Sequence, residues 1–241
     1  MKGSEAVVQQ GWIQKEDWVL DMEPTSGMIQ MAHKGRTWFE LSVEGITAHA
    51  SMPEKGADAI AGIAFMIAEI RKAMGEVPTH EELGKSTVTF GQISGGYSPY
   101  VVSDHSMVTI DMRLVPPMNT QEAEKIVRKA IEIGKMQFGC KGFYKITGDR
   151  PPVETHMESG LMKALSESVK KVTGKDPVVS AFTGYTDTAV VAGLLGNLNC
   201  MSYGPGNLAQ AHKPDEYVEI ADIERCVQVY RELICLYEDM I

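Results

Sequence analysis

From residue 36 to residue 44 the chain alternates, with Phe39, Leu41 and Val43 on one side and Trp38, Glu40 and Ser42 on the other. A period of two predicts a half-buried strand. Beyond Pro53 the period lengthens: Ile60, Ile63, Ala64, Ile67 and Ile70 recur at three and four, which predicts a helix with those residues as its buried stripe. Two strands follow. In the second, Val108, Ile110 and Met112 alternate with Thr109, Asp111 and Arg113, so Arg113 points away from the apolar face. Asn119, with Glu122 three residues on, opens a further helix whose buried face is Ala123, Ile126, Val127 and Ala130. Residues 143–147 add a last strand. Strand, helix, strand, strand, helix, strand is the plan of a ferredoxin-like module with one sheet face uncovered.

The flanks follow a different rhythm. A helix over residues 158–172, a strand near Val178, a helix after Asp187, a strand at LNCMS and a long final helix alternate as in α/β proteins. Ile223, Val227, Tyr230, Leu233, Ile234 and Tyr237 mark the expected buried stripe of that last helix. The expected organisation is therefore a discontinuous α/β domain, residues 1–33 and 151–241, with the small module of residues 34–150 inserted between them. The junctions fall near His33 and at Arg150-Pro151-Pro152.

Composition narrows the function classes. With 241 residues, 44% of them hydrophobic, the chain can bury a real core. A formal net charge of -9 with scattered Lys and Arg argues against a nucleic-acid partner. No apolar run approaches the roughly 18 residues of a membrane span, and the first residues lack the apolar stretch of a signal peptide. The expectation is a cytoplasmic protein with no membrane partner. Cys140, Cys200, Cys226 and Cys235 have no metal-type spacing and read as buried thiols.

Two segments carry candidate chemistry. LDMEPTS places Glu23, and SYGPGNLAQAHKPDEYV places His212, in loops after short apolar strands. A carboxylate and an imidazole both suit zinc, and open α/β sheets build their sites in such loops. Taken alone, Glu23 reads as a turn residue before Pro24, and His212 as a solvated loop histidine.

These segments, with GITAHASMPEKGADAIAG, GQISGGY, VVSDHSMVTIDMR and TGYTDTAVVAG between them, resemble in order the zinc family of aminoacylase, acetylornithine deacetylase, succinyl-diaminopimelate desuccinylase and carboxypeptidase G. The resemblance runs from about Gly11 onward. It implies an α/β catalytic domain holding two zinc ions, and an inserted ferredoxin-like lid that forms a homodimer. It further implies hydrolysis of the amide of N-acyl amino acids or of small peptides. By motif position Glu23 and His212 match metal ligands, and His49 matches the lid histidine that stabilises the oxyanion in the partner's site. Arg113 matches the arginine that holds a substrate carboxylate, while Gly204, Pro205 and Gly206, with Thr186 and Asp187, match the substrate-side turns. The plainer alternatives are a helix-capping turn for His49, an exposed strand arginine for Arg113 and a tight structural turn for the glycines. His33, His80, His105 and His156 match no functional position and read as surface residues. Tyr100 stands where many relatives carry Asn.

The family's upstream ligands, a His, a bridging Asp and a Glu-Glu pair that includes the general base, have no counterpart in this sequence. The expectation is a carboxy-terminal portion of such an enzyme, with zinc weak or absent and activity negligible without an amino-terminal half. The alternative is a non-catalytic dimerising and ligand-binding module derived from one.

Overall fold

The computed structural model describes residues 2–182 and 184–238; Thr183, the first residue of TGYTDTAVVAG, lies outside them. In chain order, α1 (Lys2–Gln9), β1 (Val19–Asp21) and β2 (Ile29–His33) come first. Next come β3 (Gly35–Glu44), α2 (Ala59–Gly75), β4 (Thr87–Gly95), β5 (His105–Leu114), α3 (Thr120–Phe138) and β6 (Lys141–Arg150). The chain finishes with α4 (Gly160–Thr173), β7 (Val179–Phe182), α5 (Asp187–Leu195), β8 (Cys200–Ser202) and α6 (Ile220–Glu238). These elements separate into two compact units, one of Met1–His33 with Val153–Ile241 and one of Lys34–Pro152.

The second unit is a four-stranded antiparallel sheet, β4-β5-β3-β6, with α2 and α3 against one face. Alternation decides which face: Phe39, Leu41, Val43, Val108, Ile110 and Met112 are buried with the helices, and Trp38, Asp111 and Arg113 stand on the other side. Local chemistry fixes the helix starts. The Asp58 carboxylate accepts from the amides of Ile60 and Ala61, and the Asn119 side chain accepts from that of Glu122, so each satisfies donors that an open helix end leaves over. The stripe of α2 differs from the one read in the sequence. Ala59, Gly62, Ile63, Met66, Ile70 and Met74 are buried, while Ile60 is 44% exposed. Small and flexible residues occupy the interior because the facing helix sits close: a side chain at Gly134 of α3 would strike Met66.

The first unit holds a mixed sheet, β1-β8-β2-β7, in which β1 runs parallel to β8, β2 parallel to β7, and β2 antiparallel to β8. All five residues of β2 are buried. Ile29 and Met31 pack with Leu161, Leu165 and Val169 of α4, with Met201 and Tyr203, and with Val229 and Leu233 of α6. On α6 the buried positions are Cys226, Val229 and Leu233, whereas Ile223, Val227, Ile234 and Tyr237 are 40–58% exposed. The stripe expected from the sequence is thus largely the open face of this helix. His33 likewise departs from the surface reading: it is 1% exposed, packed beside Phe182 and Tyr185. Of the four cysteines, three are buried and Cys235 is exposed. No helix among the described residues is long and apolar enough to cross a membrane.

Candidate functional site

Two loops of the first unit are laced together where β1 and β8 end. Tyr203 donates its amide to the Asp21 carbonyl at 3.0 Å, and Ser26 donates to the Gly206 carbonyl at 2.7 Å. The Gly204 amide donates to Thr25 Oγ1 at 3.1 Å, and that hydroxyl lies 3.2 Å from the Gly204 carbonyl, in a buried pairing. The approach is so close that a side chain at Gly204 would sit 2.4 Å from the Glu23 carbonyl oxygen, and Gly206 turns with φ +87. Gly204 and Gly206 therefore seat the Glu23 turn. The Gly204 amide is directed at Thr25, and Pro205 has no amide hydrogen to offer a ligand.

From this seat Glu23 and His212, separated by most of the chain, line one cavity of about 660 Å³ together with Pro24, Phe182, Tyr185 and Glu216. His212 stands at φ 63 and Asp215 at φ 58, left-handed conformations that such residues adopt more readily than branched ones. Glu216 accepts the His212 backbone N–H at 3.1 Å and so braces the loop. Burial lifts the Glu23 carboxyl above its ordinary range, Asp21 and Asp187 push in the same direction, and His212 pulls against them. Burial above all, and then two nearby carboxylates, disfavour the charged form of Glu23.

Thr186 and Asp187 begin α5 beside this wall. The buried Thr186 hydroxyl caps the helix by accepting from Ala189, and Ser4 donates to the Asp187 carboxylate. Asp21 Oδ2 accepts the Thr188 amide at 3.2 Å, while its buried Oδ1 has no hydrogen-bond partner among the described residues. Sequence reading passed over Asp21 and Glu216, although both lie inside the quoted motifs. An acidic residue two or four positions from a candidate ligand is the signal that was there to use.

Carboxylate and imidazole are suitable donors for zinc, yet no group of three or more His, Cys, Asp or Glu among the described residues is placed to hold a metal ion. A catalytic zinc needs about three protein ligands. These residues by themselves do not make a metal cage.

His49 and Arg113 belong to the second unit. His49 is exposed, and its Nδ1 accepts the Ser51 amide at 3.2 Å and lies 2.8 Å from the Ser51 hydroxyl. An acceptor Nδ1 in a neutral ring puts the proton on Nε2, which leaves an N–H donor at the outer tip. Arg113 lies on the open sheet face, bonded to Asp111. Tyr100 is 67% exposed.

Residues 31–135 match the M20 peptidase dimerisation domain. The chain is 25% identical to the acetylornithine deacetylase of Buchnera aphidicola over 242 residues, which cover 97% of this chain and 60% of that protein. Among solved structures, the aminopeptidase PepT of Bacillus cereus superposes with a TM-score of 0.73 at 19% identity, covering 96% of this chain and 60% of that one. An M20 family metallo-carboxypeptidase of Sulfolobus solfataricus gives 0.65 at 19%, covering 97% and 66%. The chain spans 47–60% of the length of the curated relatives it matches.

Proposed function

With an M20 peptidase dimerisation domain at residues 31–135 as the premise, we propose that this chain is part of a metal-dependent hydrolase of amide or peptide bonds in N-acyl amino acids or small peptides. Glu23 and His212 are its contribution to a two-zinc site, and polypeptide beyond this sequence supplies the remaining ligands and the general base. The observation that carries the reading is the convergence of Glu23 and His212, 189 positions apart in the sequence, on one cavity. The relatives named as deacetylase, aminopeptidase and metallo-carboxypeptidase all act on bonds of this class.

The chain's own residues bind and orient. The Arg113 guanidinium holds a substrate carboxylate, as planar forks do. His49, protonated at Nε2, donates a hydrogen bond to the oxygen on which negative charge develops when the scissile carbonyl becomes tetrahedral. In this reading His49 serves the active site of a second copy, which makes the homodimer formed through the second unit part of the catalytic assembly. The absence of a complete ligand group among the described residues favours one competing reading, a dimerising module that binds the ligand without cleaving it.

Turnover separates the two. The 241-residue chain with zinc is expected to hydrolyse N-acetyl amino acids no faster than its Glu23→Ala variant. Joined to the amino-terminal part of the related acetylornithine deacetylase as a chimera, it is expected to gain zinc-dependent turnover that Glu23→Ala or His212→Ala reduces to the metal-free level. Turnover indifferent to both substitutions, or robust turnover by the chain alone, contradicts the shared site.

A further inference from the structure

On the open sheet face of the second unit, four side chains of β3 and β5 interlock. Asp111 and Arg113 are two apart on β5 and so share that face, and across the ladder Trp38 stands opposite Asp111 and Arg36 opposite Arg113. Arg113 meets the carboxylate side-on, Nε to Oδ1 at 2.8 Å and Nη2 to Oδ2 at 3.0 Å. The Trp38 indole N–H donates to the same Oδ2 at 2.9 Å, and the Arg36 guanidinium lies 4.1 Å above the Trp38 ring.

This arrangement does more than pair two charges. Arginines directly opposite each other on neighbouring strands repel, so Arg113 has reason to swing away from Arg36 unless something holds it. Asp111 holds it, and Trp38 fixes Asp111 from the neighbouring strand. Only the Nε–Nη2 edge is engaged. A guanidinium has a second pair of parallel N–H groups on its Nη1–Nη2 edge, and these have no acceptor among the described residues, while the side chain remains 42% exposed.

We propose that Asp111, braced by Trp38, is a positioning residue that clamps one edge of Arg113 and leaves the other preset as a fork for a carboxylate of the ligand. The inference rests on the reading of Arg113 as the carboxylate holder and deepens it. It gives this surface ion pair a role beyond stability, to which exposed pairs contribute little.

The test titrates the full 241-residue chain with N-acetyl-L-alanine at millimolar concentrations while NMR follows the Arg113 Nε–H and Trp38 indole N–H signals, the latter assigned with Trp38→Phe. Both signals are expected to move together. Asp111→Asn, which keeps the shape and removes the charge, is expected to weaken the probe roughly tenfold and broaden the Arg113 signal, and Asp111→Glu to recover much of the loss. Asp111→Asn binding as well as or better than the parent, while Arg113→Ala abolishes binding, overturns the proposal, because Asp111 would then compete with the ligand. Binding unaffected by Arg113→Ala, or absent in the parent chain, overturns the carboxylate reading itself. Circular dichroism melting of each variant separates lost binding from lost folding, and Trp38→Phe, which removes the brace and keeps the charge pair, is expected to show an intermediate loss.

Discussion

The clearest energetic consequence at the scale of single residues belongs to His33. Burial lowers its pKa from 6.5 to about 4, against a smaller opposing hydrogen bond at Gly184. Because the folded-state pKa is the depressed one, the unfolded chain takes up the proton first as pH falls. Stability is complete above pH 6.5, declines as pH falls towards 4, and levels off below that. The loss at pH 5 should be about 2 kcal/mol. Urea unfolding at pH 7.5 and pH 5 measures it, and His33→Gln should flatten that part of the profile; an equally steep profile in the variant would assign the pH dependence to other groups. Nothing in the sequence around His33 distinguishes it from a surface histidine. Its burial comes from Phe182 and Tyr185, about 150 residues away, so no local pattern could reveal it. Glu23 and His212 could be singled out only through the ordered motifs that surround them; taken alone, each looks like an ordinary turn or loop residue.

At the scale of elements, the sequence shows where a helix lies more readily than which face it buries. Helix α6 carries two apolar sets at three-and-four spacing, and periodicity cannot choose between them. Contact with α4 and the β2–β8 region selects Cys226, Val229 and Leu233 and leaves Ile223 and Val227 outside. Leu233→Ala should therefore cost about 2–4 kcal/mol, and Val227→Ala no more than about 0.5 kcal/mol. Denaturant midpoints of the two variants check this, and the reverse order would place Val227 rather than Leu233 in the core. Strand β2 escaped notice because it is buried on both faces, which removes the alternation by which β3 and β5 announce themselves. The capped start of α3 at Asn119 could be read directly, because a cap is a local signal.

At the scale of the whole molecule, the mixed α/β character and the β-α-β-β-α-β order of the second unit were both legible, because each follows from periods and breaks spaced along the chain. The order of strands in the first unit was not. Its sheet joins β1 to β8 and β2 to β7 across the inserted unit, and such pairings leave no mark on local sequence. The same long-range closure brings Glu23 and His212 to one cavity, and the proposed function depends on it. The most direct measurement is NMR line broadening by manganese(II) added to the 241-residue chain, which detects even a loosely held ion. Broadening should centre on amides lining that cavity, such as Gly184, Leu208 and Ala211, and should vanish in the Glu23→Ala, His212→Ala double variant. Broadening centred elsewhere, or unchanged in the double variant, would contradict the account.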